Sequence, residues 1–491
     1  MRKYIIITVV LTALCSCSGF LDIIPEGTNP STGLDYTKAE NIFKPVSAAY
    51  ASMRTYGSHD LPYIAAFEIT SDNADKGSTP EDGPECRDMD EFKFTSTNSL
   101  VNGLWVGYYD IVSAANNAIF QMSEFDKAQE NAENKKYVAQ CEAEARFIRA
   151  YAYFNLVRVF RNIPLIDKVM SAEELAAAKQ VPPEQIYDFI ESDLETAVSL
   201  LPESYSKAFS GRVTKYTAHA LKAKVHLYQA EYDSVAVNAG KVIASGKFSL
   251  LQNFREVFSI DGENSSESLF EIQCSDLGQS SGNAPYFEYA YHQGPRNNRP
   301  ANMQGWGFCT PSQNLIDFFQ GRGDHIRMAT TLLYRDSTTP EGDYISAECT
   351  NPVYNGKVYT PSAYNNWSYN GYGFDHNVRI LRYSDVLLMY AEAVARGASE
   401  YPESTMNAQG ALDWVRDRAG LEPVGLSLDN VLDERRAELA LEEDRFFDLV
   451  RTGQAASVLG KYGFQAGKNE IFPIPAQQRQ LNLNLQQNTN Y

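Results

Sequence analysis

The sequence predicts a mainly α-helical protein, with helix pairs as its scaffold and a loop-rich middle region that carries few short strands. Three observations predict it. Residues 213–247, VTKYTAHALKAKVHLYQAEYDSVAVNAGKVIASGK, hold two apolar stripes at helical spacing. Ala218, Leu221, Val225 and Tyr228 form the first stripe, and Ala236, Ala239, Val242 and Ile243 form the second after a short turn at 231–233. Similar Ala- and Tyr-rich pairs recur at 103–160, 184–201 and 384–419. Residues 247–383 lack that period and show short apolar runs, SLFEIQ and NVRILRY, among loops dense in Asn, Gly and aromatics.

In chain order, the N-terminus reads as a secretory signal: a basic MRK, an apolar stretch over residues 4–14, then small residues. Eleven apolar residues fall short of the roughly 20 that a membrane-spanning helix needs. Leu14-Cys15-Ser16-Cys17 resembles the lipobox of bacterial lipoproteins. That resemblance implies a signal peptide over 1–16, loss of Cys15, and acylation of Cys17 on its sulfur and its new amine. A lipidated tether then covers 17–36.

The first helix is expected over 38–55, where Ile42, Val46, Ala49, Tyr50 and Met53 keep helical spacing. Residues 70–98, rich in Asp, Gly, Pro and Ser, read as loop. Helices follow over 100–123 and 135–161, the latter stopped by Pro164. The 213–247 pair resembles a tetratricopeptide unit, which cannot bury its face alone and needs neighbours stacked on it. The long middle loops are of the kind that serves function.

Bulk properties exclude some partners. The 491 residues carry a formal charge of −19 without a basic stripe, which argues against nucleic acid and anionic lipid surfaces. The cysteines after the lipobox, Cys86, Cys141, Cys274, Cys309 and Cys349, are odd in number and widely spaced, so neither a disulfide framework nor a zinc site is expected.

Catalytic signals are weak. Gly278-Gln279-Ser280-Ser281-Gly282 matches G-x-S-x-G after an expected strand at 268–274, but NAPYFEYAYHQGP follows where the nucleophile elbow needs a helix. His219 and His226 stand seven apart, not at the i, i+4 spacing of H-E-x-x-H, and read as packing residues. No metal or cofactor is expected. Calcium stays open without a motif, since DNADKG at 72–77 puts Ala74 and Lys76 at ligand positions. The charged stretch 430–451 reads as one helix whose Glu442–Arg445 and Asp448–Arg451 spacings make structural ion pairs.

Binding is better supported. Residues 276–308 set Tyr286, Phe287, Tyr289, Tyr291, Trp306 and Phe308 among Gln, Asn and Arg, and 354–374 add Trp367 and further tyrosines. Aromatic faces are rigid apolar platforms on which the C–H face of a sugar can lie, while amide and guanidinium groups pair with its hydroxyls.

Several stretches together resemble the SusD/RagB-like outer-membrane lipoproteins of Bacteroidetes. They are FLDIIP at 20–25, LWVGYYDIVSAANNAI at 104–119, EAEARFIRAYAYFNLVRVFRNIPLI at 142–166, RYSDVLLMYAEA at 382–393, DERRAELALEEDRFFDLVRTG at 433–453 and IFPIPAQQRQLNLNLQQNTNY at 471–491. The resemblance implies a SusD-like fold with about four tetratricopeptide-like helix pairs. It divides the chain into an N-terminal helical region at 37–247, a ligand-binding insertion at 248–383 and a C-terminal helical region at 384–491. It implies no catalysis, but capture of oligosaccharides at the outside of the outer membrane for a SusC-like TonB-dependent transporter. Peptide capture, as in some relatives, is the alternative; a surface glycan hydrolase is the remaining one. By region, the ligand residues implied are Asp72 and Asn73 after the first helices and Tyr286, Tyr289, Tyr291, Arg296 and Trp306 in the middle loops. Trp105 and Trp414 belong to helical motifs, leaving Trp306 and Trp367 as platforms.

Overall fold

A computed structural model describes residues 33–274, 287–298, 304–364 and 375–491. Helices dominate it. The scaffold begins with α1 (Lys44–Ser52), α2 (Pro84–Asp90), α3 (Ser99–Ala128) and α4 (Ala132–Phe160), and continues with α5 (Pro183–Leu200), α6 (Lys215–Tyr228) and α7 (Tyr232–Ala244). After the middle block come α9 (Tyr383–Ala395), α10 (Ala408–Arg418), α11 (Leu428–Glu438) and α12 (Arg445–Arg451), while a short α8 (Tyr289–Gln293) lies within the block. Packing runs α3 on α4, α4 on α5, α5 on α6, α6 on α7, α7 on α9 and α9 on α10. All four segments read as helix pairs enter one continuous stack, but 184–201 holds the single helix α5 and not a pair.

Local chemistry sets the helix ends. Asn98 caps α3 by accepting from the backbone N–H of Leu100, and Thr214 and Thr217 form a capping box at α6. Along α4 every residue from 147 to 157 is buried, because α3 and α5 cover it from two sides. Burial on that scale includes Arg149, whose charge must be paired. Its guanidinium donates to both carboxylate oxygens of Asp193 on α5 at 2.8 Å and to Asn116 Oδ1 on α3 at 2.7 Å. One buried cation thus ties three helices together.

Four short strands matter for the site: β1 (Ala74–Gly77), β2 (Ser268–Ile272), β3 (Phe308–Pro311) and β4 (Val378–Arg382). β2 pairs antiparallel with β4, Val378 opposite Ile272, which closes the base of the middle block where SLFEIQ and NVRILRY were read as apolar runs. β1 pairs antiparallel with β3, Gly77 opposite Phe308.

Three expectations are corrected. Residues 70–98 are not wholly loop, since β1 and α2 lie within them; the strand is recruited by β3, more than 200 residues away, a pairing no local window contains. The helix expected at 38–55 is shorter, as Pro45 starts α1 only at its first turn. The 430–451 stretch is two helices, broken at 439–444 where Leu441 and Glu443 take positive φ of 62° and 64°. Only half of its expected pairing occurs: Asp448 meets Arg451 at 2.7 Å, but Glu442 pairs with Arg382 and Lys357, and Arg445 with Asp72.

A buried charge network fastens the middle block to the C-terminal helices. Glu438 on α11 accepts from Arg382, Arg418 and Arg327. Glu434, one turn earlier, accepts from Arg322 and Arg416 and forms an ion pair with Arg327, all at 2.6–2.7 Å. Burial works against the Glu438 charge, but the surrounding cations outweigh it and hold the carboxyl well below the ordinary carboxylate range. The stretch DERRAELALEEDRFFDLV is thus a structural clamp.

Candidate functional site

Among the described residues of the middle block, Trp306, Tyr334 and Tyr344 are exposed aromatics, and Trp306 is the one the sequence marks as a platform. The β1–β3 ladder continues past its end through Ser78 N–H donating to Gly307 O at 2.5 Å, bringing the 78–82 turn beside the segment before β3. Gly77 has φ +70°, and a Cβ there would lie 2.4 Å from the Gly307 carbonyl, so this approach requires glycine. On the other side, Trp306 N–H donates to Tyr291 O at 2.8 Å, and a Cβ at Gly305 would sit 2.5 Å from that same carbonyl. Trp306 is therefore held by its own N–H on one side and through its neighbour Gly307 on the other, while the residue stays 38% exposed.

Three side chains frame that ring. Tyr291 meets it edge-on at 6.4 Å and 78°. The Arg296 guanidinium lies 5.1 Å from its centroid, within cation–π range. Arg296 also pairs with Asp82 at 3.0 Å, both side chains being about a quarter exposed (23% and 24%). Asp82 in turn accepts from Ser78 Oγ at 2.9 Å and Thr79 Oγ1 at 2.8 Å. Partial burial opposes its charge, but the Thr79 and Ser78 hydroxyls and the Arg296 cation prevail and keep its carboxyl below the usual range. Lys76 Nζ donates to the carbonyls of Thr79 and Asp82, each at 2.7 Å, and so stiffens the turn.

The helix that carries Tyr291 is anchored from below. His292 Nδ1 lies 2.6 Å from Asp60 Oδ1, and Glu288 N–H donates to Asp60 Oδ2 at 2.9 Å. Burial alone would discharge the imidazole; Asp60 overrides it and raises the His292 pKa. An indole face, a guanidinium and a carboxylate thus stand together on a rigid support, a set suited to an apolar ring face that bears hydroxyls.

The expected ligand residues divide. Tyr291, Arg296 and Trp306 come together here. Tyr289 does not: it is buried and donates its hydroxyl to Glu443 at 2.7 Å, because one turn of α8 puts residues 289 and 291 on different faces. Asp72 is also buried, its carboxylate taken by Arg445 at 2.7 Å and Arg436 at 3.0 Å. Asn73 Oδ1 accepts from Arg436 at 3.0 Å and its backbone carbonyl from Ser312 N–H at 2.8 Å. This pair joins the first helices to α11 and α12 and offers no exposed surface to a ligand. Cys17, Tyr286, Trp367 and the G-x-S-x-G segment lie outside the described residues. Trp105 and Trp414 pack against neighbouring aromatic rings, as expected from their helical motifs. Asp82 was not singled out in the sequence; the spacing of Ser78 and Thr79 before an Asp, four and three residues on, is the signal that marks its turn.

Cys86, Cys141, Cys274, Cys309 and Cys349 are all free thiols. Burial pushes Cys86 and Cys141 up to about 12, which leaves them unreactive at neutral pH.

Comparison with known proteins gives a consistent result. A family model described as "SusD family" matches residues 329–491, and one described as "Starch-binding associating with outer membrane" matches residues 20–227. A SusD-like protein P2 of Formosa agariphila is 28% identical, with 99% of each chain covered. A SusD-like protein of Bacteroides ovatus is 26% identical over 90% of this chain and 80% of its own. Among solved structures, a laminarin-binding SusD-like protein superposes with a TM-score of 0.78 at 28% identity, covering 92% of this chain and 99% of its own. Surface glycan-binding protein A from Bacteroides fluxus superposes with a TM-score of 0.79 at 26% identity, covering 92% and 100%.

Proposed function

The chain belongs to the SusD/RagB-like family, and from that premise we propose that it is a non-catalytic, outer-membrane-associated protein that binds oligosaccharides and delivers them to a partner TonB-dependent transporter. The observation that carries this reading is Trp306: a tryptophan held by its own N–H and by the neighbouring Gly307, framed by Tyr291 and Arg296, and still open to solvent. A pyranose C–H face stacks on the indole, while Arg296 and Asp82 donate to and accept from the ring hydroxyls. Their mutual pairing fixes both side chains before the ligand arrives, which lowers the ordering cost of binding. A single platform of this size gives modest affinity, as suits a protein that must release its ligand to a transporter.

The relatives support the ligand class, one being named as laminarin-binding and another as glycan-binding. Cys17 is the proposed attachment point, acylated and facing the cell exterior. Several acyl chains, each buried CH₂ contributing about 0.8 kcal/mol, hold the protein on the membrane.

Calorimetry or affinity electrophoresis against a polysaccharide panel that begins with laminarin tests the reading. Binding of at least one glycan, lost in Trp306→Ala, is expected. A protein that binds only peptides overturns the sugar assignment in favour of peptide uptake. Release of reducing ends, abolished by Ser280→Ala, makes it a hydrolase. Palmitate labelling that persists in Cys17→Ala removes the proposed anchor.

A further inference from the structure

A second constellation lies away from the Trp306 surface, on the outer edge of the helical stack. Glu191 on α5, His226 near the end of α6 and Glu231 at the start of α7 converge there, with one ligand atom from each within 4.8 Å of the others. His226 Nδ1 stands 2.6 Å from Glu231 Oε2 and 3.8 Å from Glu191 Oε1. His226 is buried and the two carboxylates are partly exposed, so the open side of the triangle faces water.

The surrounding chain is arranged to hold this geometry. The α6–α7 turn folds back through Ala230 at φ 59°, and Glu231 N–H donates to the His226 carbonyl at 3.0 Å. The carboxylate is thereby returned over the imidazole of the preceding turn. Gln229 Nε2 donates to Glu191 Oε1 at 2.7 Å, an outer contact of the kind that orients a metal-ligating carboxylate. His226 also borders a polar cavity of about 430 Å³, lined by His219, Glu195, Asp233, Lys222 and Lys241 among others.

We propose that Glu191, His226 and Glu231 form a binding site for a divalent transition-metal ion, zinc above others. One imidazole nitrogen and two carboxylate oxygens are a mixed N/O set that suits zinc and leaves the fourth tetrahedral position to water. Bonds of about 2.0–2.2 Å to each ligand place the ligand atoms roughly 3.3 Å apart. The 3.8 Å separation closes slightly, and the 2.6 Å contact opens as the partly exposed Glu231 side chain swings aside. Calcium, which takes six to eight oxygen ligands, is disfavoured by the imidazole and the small donor count. The ion would clip the α6–α7 turn to α5 and stiffen the stack at that edge, independently of glycan capture.

Calorimetry of the full chain with zinc chloride, and in parallel calcium chloride, tests this together with thermal melts. One zinc per chain and a zinc-dependent rise in Tm are expected, with no response to calcium. Glu231→Gln and Glu191→Gln, both at partly exposed positions that the fold tolerates, lose the rise. Gln229→Ala weakens zinc binding about tenfold. Absence of zinc binding in the unmodified chain, a calcium response in place of zinc, or full zinc affinity in either Gln variant overturns the proposal; the last result would place the ion elsewhere, for example on the thiols.

Discussion

Two regions of this molecule are rich in arginine and carboxylate, and they use them oppositely. In the clamp between the middle block and α11, Arg327 and Glu434 pair with side chains 0% exposed, and each carboxylate there meets two or three cations. At the Trp306 surface, Arg296 and Asp82 form a single pair about a quarter exposed, stacked beside a ring that is itself open. The charges of the clamp are spent on one another. Those of the open surface keep hydrogen-bonding capacity for a visitor, so exposure rather than residue type separates binding from architecture.

The strongest way to break this contrast is Glu438→Ala. It leaves Arg382, Arg418 and Arg327 buried beside a missing partner, and unfolding free energy is expected to fall by about 3–5 kcal/mol. A urea titration reads this directly. A fall below about 1 kcal/mol would show that the clamp does not hold the two regions together.

pH separates buried charges further. The clamp carboxyl Glu438 is depressed, so its contribution is full above the ordinary carboxylate pKa and fades only as pH falls through its much lower folded value. Glu68 is the reverse case: burial raises it from the ordinary 4.5 to about 7. Its contribution is full below 4.5 and is lost as pH rises from 4.5 through 7. Glu443, whose backbone N–H donates to Glu68 at 2.8 Å, is raised as well by burial and by the neighbouring carboxyl. Glu68→Gln should therefore be more stable than the unmodified protein at pH 8 and little changed at pH 5. Equal denaturation midpoints for the two proteins at both pH values would remove this account.

At the open surface the effects move from stability to affinity. Trp306→Ala is expected to weaken glycan binding at least about tenfold, or 1.4 kcal/mol, with a melting temperature nearly unchanged. Tyr289→Phe, only two positions from Tyr291, should do the opposite: lose about 1 kcal/mol of stability with the Glu443 hydrogen bond and leave glycan affinity intact. If both variants lost affinity alike, the division between the faces of α8 would be wrong. Asp82→Asn gives the smallest change, within about 1 kcal/mol in stability because its ion pair is partly solvated. Its measurable effect should be on ligand selectivity, as Arg296 loses its fixed partner.

Much of the scaffold was legible. Helix period and Ala-rich crossings are local patterns, and α3 to α7 lie close to where those patterns put them. The site was legible in part. Trp306, Tyr291 and Arg296 stand out as aromatic and cationic residues in a non-periodic block, but nothing in that block distinguishes Tyr289 from Tyr291. Asp72 and Asn73 were implied by region through the resemblance, and a region does not show that Arg436 and Arg445 arrive from more than 360 residues away to cover them. His226 read as a packing residue and Glu191 and Glu231 were not singled out, because their spacing, 35 and then 5, matches no helical metal motif.

From periodicity and composition alone come the helices, the irregular middle block and its supply of aromatic rings, because those properties depend on neighbours a few residues apart. Which rings meet solvent, which carboxylates face an arginine and which face an open corner depend on contacts such as Asp82 with Arg296 and Glu438 with Arg382, whose partners lie 214 and 56 residues apart in the chain. Long-range packing sets the burial of each charge, and burial decides whether that charge is committed to the fold or left available to a ligand.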